Sequence, residues 1–184
     1  MTPTVGDLFI ENTKTQCKTS SARAAEKVLA QVSDEEFFSK PGAESHSIAV
    51  LVKHVGGTLS SRFTGFLTED GEKPDRDREN EFRILEGETR WVLMAKWDEG
   101  WGRLLGTLEE LKGDDLAHDI QVRWRKQPAL EGIYQQSMHA AQHGGQIIYL
   151  AKLFRGGDWK YLTILKGGTE EYNTQKCREA SLVR

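Results

Sequence analysis

Apolar residues recur at spacings of three and four positions along four segments of the chain, a pattern typical of amphipathic α-helices. The third segment has the clearest stripe, which runs from Trp91 to Leu111. Pro128 suits the first turn of the fourth helix, where its missing N–H removes no hydrogen bond. The predicted helices cover about residues 6–32, 45–67, 87–112 and 129–154.

The segments that connect these helices are polar. Residues 68–82 combine a DG pair, a proline and dense mixed charge, which predicts an exposed loop held by ion pairs among its own side chains. The connector at 114–127 allows one brief extended piece, and the tail at 156–184 predicts an irregular extension lying on the helices. The sequence therefore predicts an all-α four-helix bundle, one domain over residues 1–184 with its core at about 6–155.

Composition and charge argue against several classes of binding partner. The chain has 25 Lys and Arg against 28 Asp and Glu, so we expect no nucleic-acid partner. No stretch approaches ~20 apolar residues, and the N-terminus lacks a secretory leader pattern, so we expect no membrane association and a cytoplasmic protein. Cys17 and Cys177 show no ligand or disulfide spacing, so we expect two reduced thiols and assign neither as a nucleophile.

A pair of histidines on the fourth predicted helix is the main candidate for chemistry. His139 and His143 are four residues apart, so they share one face of the helix and continue its apolar stripe. Such a pair can place two nitrogens on one divalent ion. His54, in the middle of the second helix, is the candidate third ligand, although it lies about 120° from the centre of that helix's apolar face.

Several alternatives surround this hypothesis. His46 and His118 lie at a helix start or in a connector and are not expected to be ligands. The residue after His139 is alanine, so the HExxH pattern of zinc peptidases is absent, and no duplicated ExxH motif indicates a di-iron site. Buried histidines also commonly hydrogen-bond to a carbonyl or a carboxylate, so a purely structural role for these three histidines stays open.

Glycines follow the histidines on both helices. Gly56 and Gly57 come after His54, and Gly144 and Gly145 come after His143. Each interior glycine costs a helix roughly 1 kcal/mol relative to alanine. We therefore expect the second and fourth helices to approach closely at these glycines, which would bring the imidazoles to one point.

Three sequence blocks carry a resemblance to a known family. They are KHVGGTLSSRFTGFLTEDGEKPDRDRENEF, HAAQHGGQIIYLAK and WKYLTILKGGTEEYN, and together they span most of the chain. The chain resembles the DinB-like, or YfiT-like, superfamily of metal-dependent proteins, and most closely a subfamily of unknown function within it. In the third block this chain reads LTILKGG, where the family commonly reads LSIP-like before KG.

The resemblance implies an up-down-down-up bundle with a long crossover after the second helix, and commonly a homodimer. It also implies that His54, His139 and His143 hold a divalent metal, usually nickel or zinc.

The same resemblance implies a class of reaction. Some superfamily members resemble thiol-dependent S-transferases, in which the metal lowers the pKa of a low-molecular-weight thiol that attacks a small-molecule substrate. Metal-dependent hydrolysis is the alternative enzyme activity, and a non-catalytic, stress-related binding or interaction protein is the alternative outside catalysis. No catalytic residue is assigned.

Two further sets of residues have candidate roles. Arg62 lies two turns beyond His54 and is the candidate substrate-binding residue, able to hold a carboxylate, or else to pair with the acidic residues of the loop. The loop's other charged residues are expected to be solvated. The tryptophans of the third helix, Trp91, Trp97 and Trp101, occupy core spacing, so we expect them to pack in the interior.

Overall fold

The computed structural model describes residues 2–182 and is mostly helical, which confirms the predicted helical class. Its helices, in chain order, are α1 (Val5–Gln16), α2 (Ala22–Leu29), α3 (Asp34–Phe38), α4 (Ile48–Phe63), α5 (Arg90–Glu110), α6 (Ala129–Arg155) and α7 (Thr169–Leu182). Two short strands, β1 (Asp119–Val122) and β2 (Arg125–Pro128), form an antiparallel sheet. Within the described residues, no helix combines the length and apolar composition needed to span a membrane.

The second, third and fourth predicted helices correspond to α4, α5 and α6, but the prediction of one continuous first helix is wrong. The chain between α1 and α2 takes a π-helical turn at Cys17–Ser21. Within this region the Thr19 hydroxyl donates to the Thr15 carbonyl, a backbone contact that bends helices. The polar middle of the segment therefore interrupts the helix, and the turn leaves the Cys17 side chain buried.

Two helices lie in segments that were predicted to be irregular. α3 begins with a capping box between Ser33 and Glu36, but it is too short to show apolar periodicity. α7 occupies much of the tail predicted to be irregular, and its side chains are exposed over residues 169–181. It has no buried stripe to reveal it, and it carries local pairs such as Lys176 with Glu179 (2.6 Å). Residues 183–184 of the predicted extension lie outside the described residues.

The tryptophans of α5 divide between the interior and the surface. Trp97 and Trp101 are buried, as predicted, and their ring centroids lie 5.6 Å apart. Trp91 is 79% exposed, so its predicted core position is wrong. The buried face of α5 already begins at Leu93 in the first turn, and at 100° per residue Trp91 projects about 130° away from the centre of that face.

α4 and α5 pack through glycines, which corrects the expectation that the glycines bring α4 and α6 together. A Cβ atom at Gly56 would lie 2.6 Å from the Lys96 carbonyl oxygen on α5, and one at Gly100 would lie 2.5 Å from the Gly56 oxygen. By contrast, a Cβ at Gly144 or at Gly145 would meet no atom within 4 Å. The close helix contact is therefore between α4 and α5.

We expect Gly56→Ala to lower the free energy of unfolding by about 1–3 kcal/mol, because the added methyl group overlaps backbone atoms of α5 that cannot move alone. Gly144→Ala is the matched control. It adds the same methyl group in open space and is expected to be neutral or to stabilise by up to about 1 kcal/mol through helix propensity. Urea unfolding of both variants measures the difference, and equal effects would contradict this packing.

The β1–β2 hairpin is a strand pair in the connector where the sequence allowed only one extended piece. Its two turn residues, Arg123 and Trp124, both have positive φ angles, 51° and 65°. Residues other than glycine adopt this region at a cost, so the turn needs external support. The Asp70 carboxylate provides it by accepting hydrogen bonds from the backbone N–H groups of Arg123 (2.8 Å) and Trp124 (2.9 Å).

The Asp70 clamp predicts a pH-dependent stability. Burial alone would raise the pKa of Asp70, but backbone N–H donors from Glu72, Trp124 and Arg123 outweigh it and hold this pKa well below 3.8. A carboxyl whose pKa is depressed by folding stabilises the protein above its unfolded pKa, and this contribution is lost as the pH falls through the folded value. At pH 7 we expect Asp70→Asn to destabilise by about 1 kcal/mol, because one oxygen still accepts.

Urea unfolding of the wild type and of Asp70→Asn tests this effect at neutral pH and again below pH 3.8. The difference between the two proteins is expected to shrink at the lower pH. Asp98→Asn, on the exposed surface of α5, is the matched control and is expected to change nothing at either pH. A difference that stays constant over this range would show that the Asp70 charge does not stabilise the hairpin.

Candidate metal centre

Three imidazoles from two helices meet at one point beside α4. His54 comes from the middle of α4, and His139 and His143 come from successive turns of α6. The Nε2 atom of His139 lies 3.2 Å from Nε2 of His54 and 3.1 Å from Nε2 of His143. One nitrogen from each ring fits within a 4.8 Å span, which is the arrangement needed to bind a single metal ion.

The flank of α4 that carries His54 is buried because the loop at 68–82 folds over it. The Ser61 hydroxyl donates to the Gly71 carbonyl oxygen at 2.8 Å, and the Arg76 guanidinium donates to the Thr58 hydroxyl at 2.7 Å. His54 itself is only 5% exposed. The position of His54 away from the apolar face of α4 weakened the prediction that it is a ligand. In the structure that position lies under this loop.

A carboxylate from the same loop holds the outer nitrogen of His54. Nδ1 of His54 lies 2.8 Å from Oε2 of Glu81. Arg76 donates to both oxygens of this carboxylate, at 2.8 and 2.9 Å. Gly57 leaves the space for it, because a Cβ atom there would lie 2.5 Å from Oε1 of Glu81.

Arg76 and Glu81 are buried, so the expectation that the charged loop residues are solvated is wrong for this pair. Burial alone would raise the pKa of the Glu81 carboxyl, but hydrogen bonds from His54 and Arg76 outweigh it and hold this pKa below its ordinary value. Glu81 is therefore ionised at neutral pH, and it accepts a hydrogen bond from the N–H at Nδ1 of His54.

The hydrogen-bond partners define which nitrogens carry protons. The Glu81 carboxylate can only accept, so Nδ1 of His54 is the donor and its Nε2 carries a lone pair. Nδ1 of His143 likewise lies 2.7 Å from the side-chain oxygen of Gln146, so its Nε2 also carries a lone pair. Two lone pairs therefore converge on Nε2 of His139, an arrangement that a cation between the three rings would satisfy.

The state of His139 is a second indication that the three histidines suit a metal ion. Its Nδ1 atom is buried and has no hydrogen-bond partner among the described residues. Burial, together with the neighbouring His143 and His54, lowers the pKa of His139 to about 4. The ring is therefore neutral at physiological pH, which is the form that binds metals.

The centre is open on one side. His139 and His143 are partly exposed, unlike His54. A groove of about 570 Å³ runs beside His143, between α6 and the residues that precede α4. Its polar lining includes His46, Gln142, Tyr149 and the Gln146 that contacts His143.

Arg62, the candidate substrate-binding residue, is engaged by the loop. Its guanidinium lies 2.8 Å from an oxygen of Glu72 and also donates to the Gly71 carbonyl oxygen. The side chain is about 10% exposed. These contacts agree with the second of its two candidate roles, pairing with the acidic residues of the loop.

The remaining candidates lie outside the centre. His118 is exposed and stands beside Asp115, and the His46 ring packs 5.4 Å from the Phe82 ring, which in turn packs 4.6 Å from the His54 ring. Both cysteines are free thiols. Burial raises the pKa of Cys17 to about 11, so this thiol is unreactive at neutral pH.

A family model described as "Protein of unknown function (DUF1572)" matches residues 4–168, which include all three histidines and the loop residues that support them. None of the curated proteins matches the chain.

Proposed function

Because the chain belongs to the DUF1572 family of proteins of unknown function, its activity has to be inferred from the site itself, and we propose that it is a divalent-metal-dependent enzyme. The observation that carries the proposal is the convergence of three imidazoles, in which Nε2 of His54 and Nε2 of His143 lie within 3.2 Å of Nε2 of His139 and direct their lone pairs toward it. Two of the three rings are partly exposed, which leaves one side of the centre open to a substrate.

We place the fold in the DinB-like superfamily as part of the same proposal. α4, α5, α6 and the α1–α2 segment would be the four helices of an up-down-down-up bundle, and the loop at 68–82 would belong to its long crossover. The positions of His54 on α4 and of His139 and His143 on α6 support this assignment. Imidazole ligands suit both nickel and zinc, the two metals that the resemblance implies.

The chain's own residues prepare the site for a metal. Arg76 fixes Glu81, and Glu81 fixes the proton on Nδ1 of His54, so that Nε2 of His54 faces the centre. Gln146 does the same for His143. The three ligands are neutral, so a divalent ion keeps its full charge and would lower the pKa of a thiol or a water molecule bound beside it.

We propose S-transfer as the reaction: a low-molecular-weight thiol releases its proton to solvent, its sulfur forms a bond to a carbon atom of a small electrophile, and the leaving group on that carbon departs as an anion. The partial exposure of His139 and His143 supports a small-molecule substrate, and the groove lined by Gln146, the hydrogen-bond partner of His143, would provide the space. The thiol comes from the family resemblance, and hydrolysis is the competing reaction at the same site. None of the described acidic residues except Glu81 contacts the three histidines, and Glu81 is already paired with Arg76.

The test uses the untagged, cobalt-loaded protein with two probe reactions. We expect 2-mercaptoethanol to change the visible cobalt spectrum and the protein to accelerate its reaction with 1-chloro-2,4-dinitrobenzene. Hydrolysis of p-nitrophenyl acetate without thiol would favour the hydrolase instead. His143→Ala should abolish either activity, and His118→Ala, an exposed histidine outside the centre, should preserve it. Bound metal with neither reaction would indicate a binding protein.

A further inference from the structure

The outer face of α6 is apolar although it lies on the surface. Residues 132–151 contain no Asp, Glu, Lys or Arg. The large side chains on this face are each between 43% and 69% exposed: Leu130, Tyr134, Met138, Tyr149 and Leu153. At 100° per residue they project within an arc of roughly 140°, away from the buried face. An exposed apolar stripe along a whole helix is typical of an interaction surface.

The order of residues along this stripe has a symmetry of its own. Leu130 and Leu153 lie equally far from a point between Ala141 and Gln142, and so do Tyr134 and Tyr149. Met138 has the same relation to Gly145. A Cβ atom at Gly145 would meet nothing within 4 Å, so this glycine forms a gap on the surface that a methionine side chain could fill.

The charged residues at the two ends of the stripe follow the same symmetry. Glu131 and Lys152 are equally distant from the central point and have opposite charges. Within the described residues neither forms an ion pair: Glu131 accepts from Gln135, and Lys152 lies over the Tyr161 ring. A twofold axis through the centre of the stripe would place each of them beside its opposite charge on a second copy.

We propose that the outer face of α6 is the interface of a homodimer in which two α6 helices pack antiparallel about a twofold axis. Leu130 of each copy then contacts Leu153 of the other, and Tyr134 contacts Tyr149. Met138 of each copy fills the gap at Gly145 of the other. Two Glu131–Lys152 ion pairs close the ends. This inference rests on the stripe alone and does not depend on the proposed metal chemistry.

The interface also bears on the candidate metal centre. Gln142, Gly145 and Tyr149 line the groove beside His143, and Gly145 and Tyr149 belong to the stripe. Met138 of the second copy, seated at Gly145, would therefore form an outer wall of this groove. The groove next to the centre is complete only in the dimer.

The first test measures the molar mass of the metal-free full chain by light scattering after size exclusion. We expect about twice 20.8 kDa for the wild type. Met138→Glu should weaken dimerisation at least about tenfold because it places a charge in the desolvated centre. Leu8→Glu is the matched control, since Leu8 on α1 is 55% exposed against 54% for Met138, and it should remain dimeric. A monomeric wild type, or a Met138→Glu dimer of unchanged affinity, would overturn the proposal.

The second test addresses the register. Glu131→Lys and Lys152→Glu should each weaken the dimer about three- to tenfold, and the double variant should restore it. In a Cys177→Ser background, chains with Tyr134→Cys should form disulfides with chains carrying Tyr149→Cys and not among themselves. Equal cross-linking of Tyr134→Cys chains with each other would overturn this register, and so would a double charge variant no tighter than the single ones.

Discussion

His139→Ala is expected to abolish stoichiometric binding of a divalent metal. His139 is the central member of the three histidines, because its Nε2 atom lies 3.2 Å or less from Nε2 of both others. Structural zinc sites provide roughly 10–16 kcal/mol from their complete ligand set, so losing one ligand should weaken binding at least about a hundredfold. Isothermal titration with zinc, on protein purified without a metal-affinity column, measures this change.

The same substitution has a distinctive effect on stability. Without metal, His139→Ala should leave the free energy of unfolding within about 1 kcal/mol of the wild type, because removal of a buried Nδ1 that has no described partner offsets the loss of the Nε2 contacts with His54 and His143. With zinc, the wild type should gain stability as the ligand concentration rises, and the variant should not. His118→Ala should behave as the wild type in both conditions. If zinc stabilised the wild type and His139→Ala equally, the three histidines would not be the site.

Glu81→Gln is expected to reduce zinc affinity about 10- to 100-fold without removing any of the three histidines. Glutamine can still accept a hydrogen bond from the N–H at Nδ1 of His54, but it lacks the charge that makes the imidazole a stronger ligand. The substitution also leaves the guanidinium of Arg76 buried without its bidentate partner, which should cost about 3–5 kcal/mol of stability.

Two measurements separate these effects of Glu81→Gln. Zinc affinity is measured by competition with a chromophoric chelator, and stability by urea unfolding of the metal-free protein. Glu79→Gln, in the same turn, has an exposed side chain and a long 3.6 Å contact with Arg78, so it should change neither quantity. Unchanged zinc affinity in Glu81→Gln would show that the carboxylate only supports the loop.

The sequence alone predicts the long helices well, because α4, α5 and α6 carry periodic apolar positions. It also identifies His139 and His143 as candidate metal ligands, since two residues that are four positions apart on a helix share one face. His54 was the candidate third ligand from its position in the middle of its helix, and the family resemblance reinforced that choice. Its flank of α4 looked exposed in an isolated helix, and it is buried only because the loop at 68–82 covers it.

The parts that the sequence does not reveal depend on contacts between distant segments. The link between Glu81 and His54 spans 27 positions and is made by an irregular loop, so no helical or strand period indicates it. The glycines of α4 were correctly identified as sites of close approach, but their partner is α5 and not α6. The hairpin turn at Arg123 and Trp124 lacks the usual glycine or asparagine, because Asp70 supports it from another part of the chain.

X-ray absorption spectroscopy of the untagged, zinc-loaded protein tests the central claim most directly, because it identifies the atoms bound to the metal. The three-histidine centre predicts one zinc per chain with imidazole scattering from three rings at about 2.0–2.1 Å and lighter atoms filling the open side. A protein that binds no stoichiometric zinc after reconstitution, or a zinc ion bound by sulfur or by oxygen ligands without three imidazoles, would contradict the assignment.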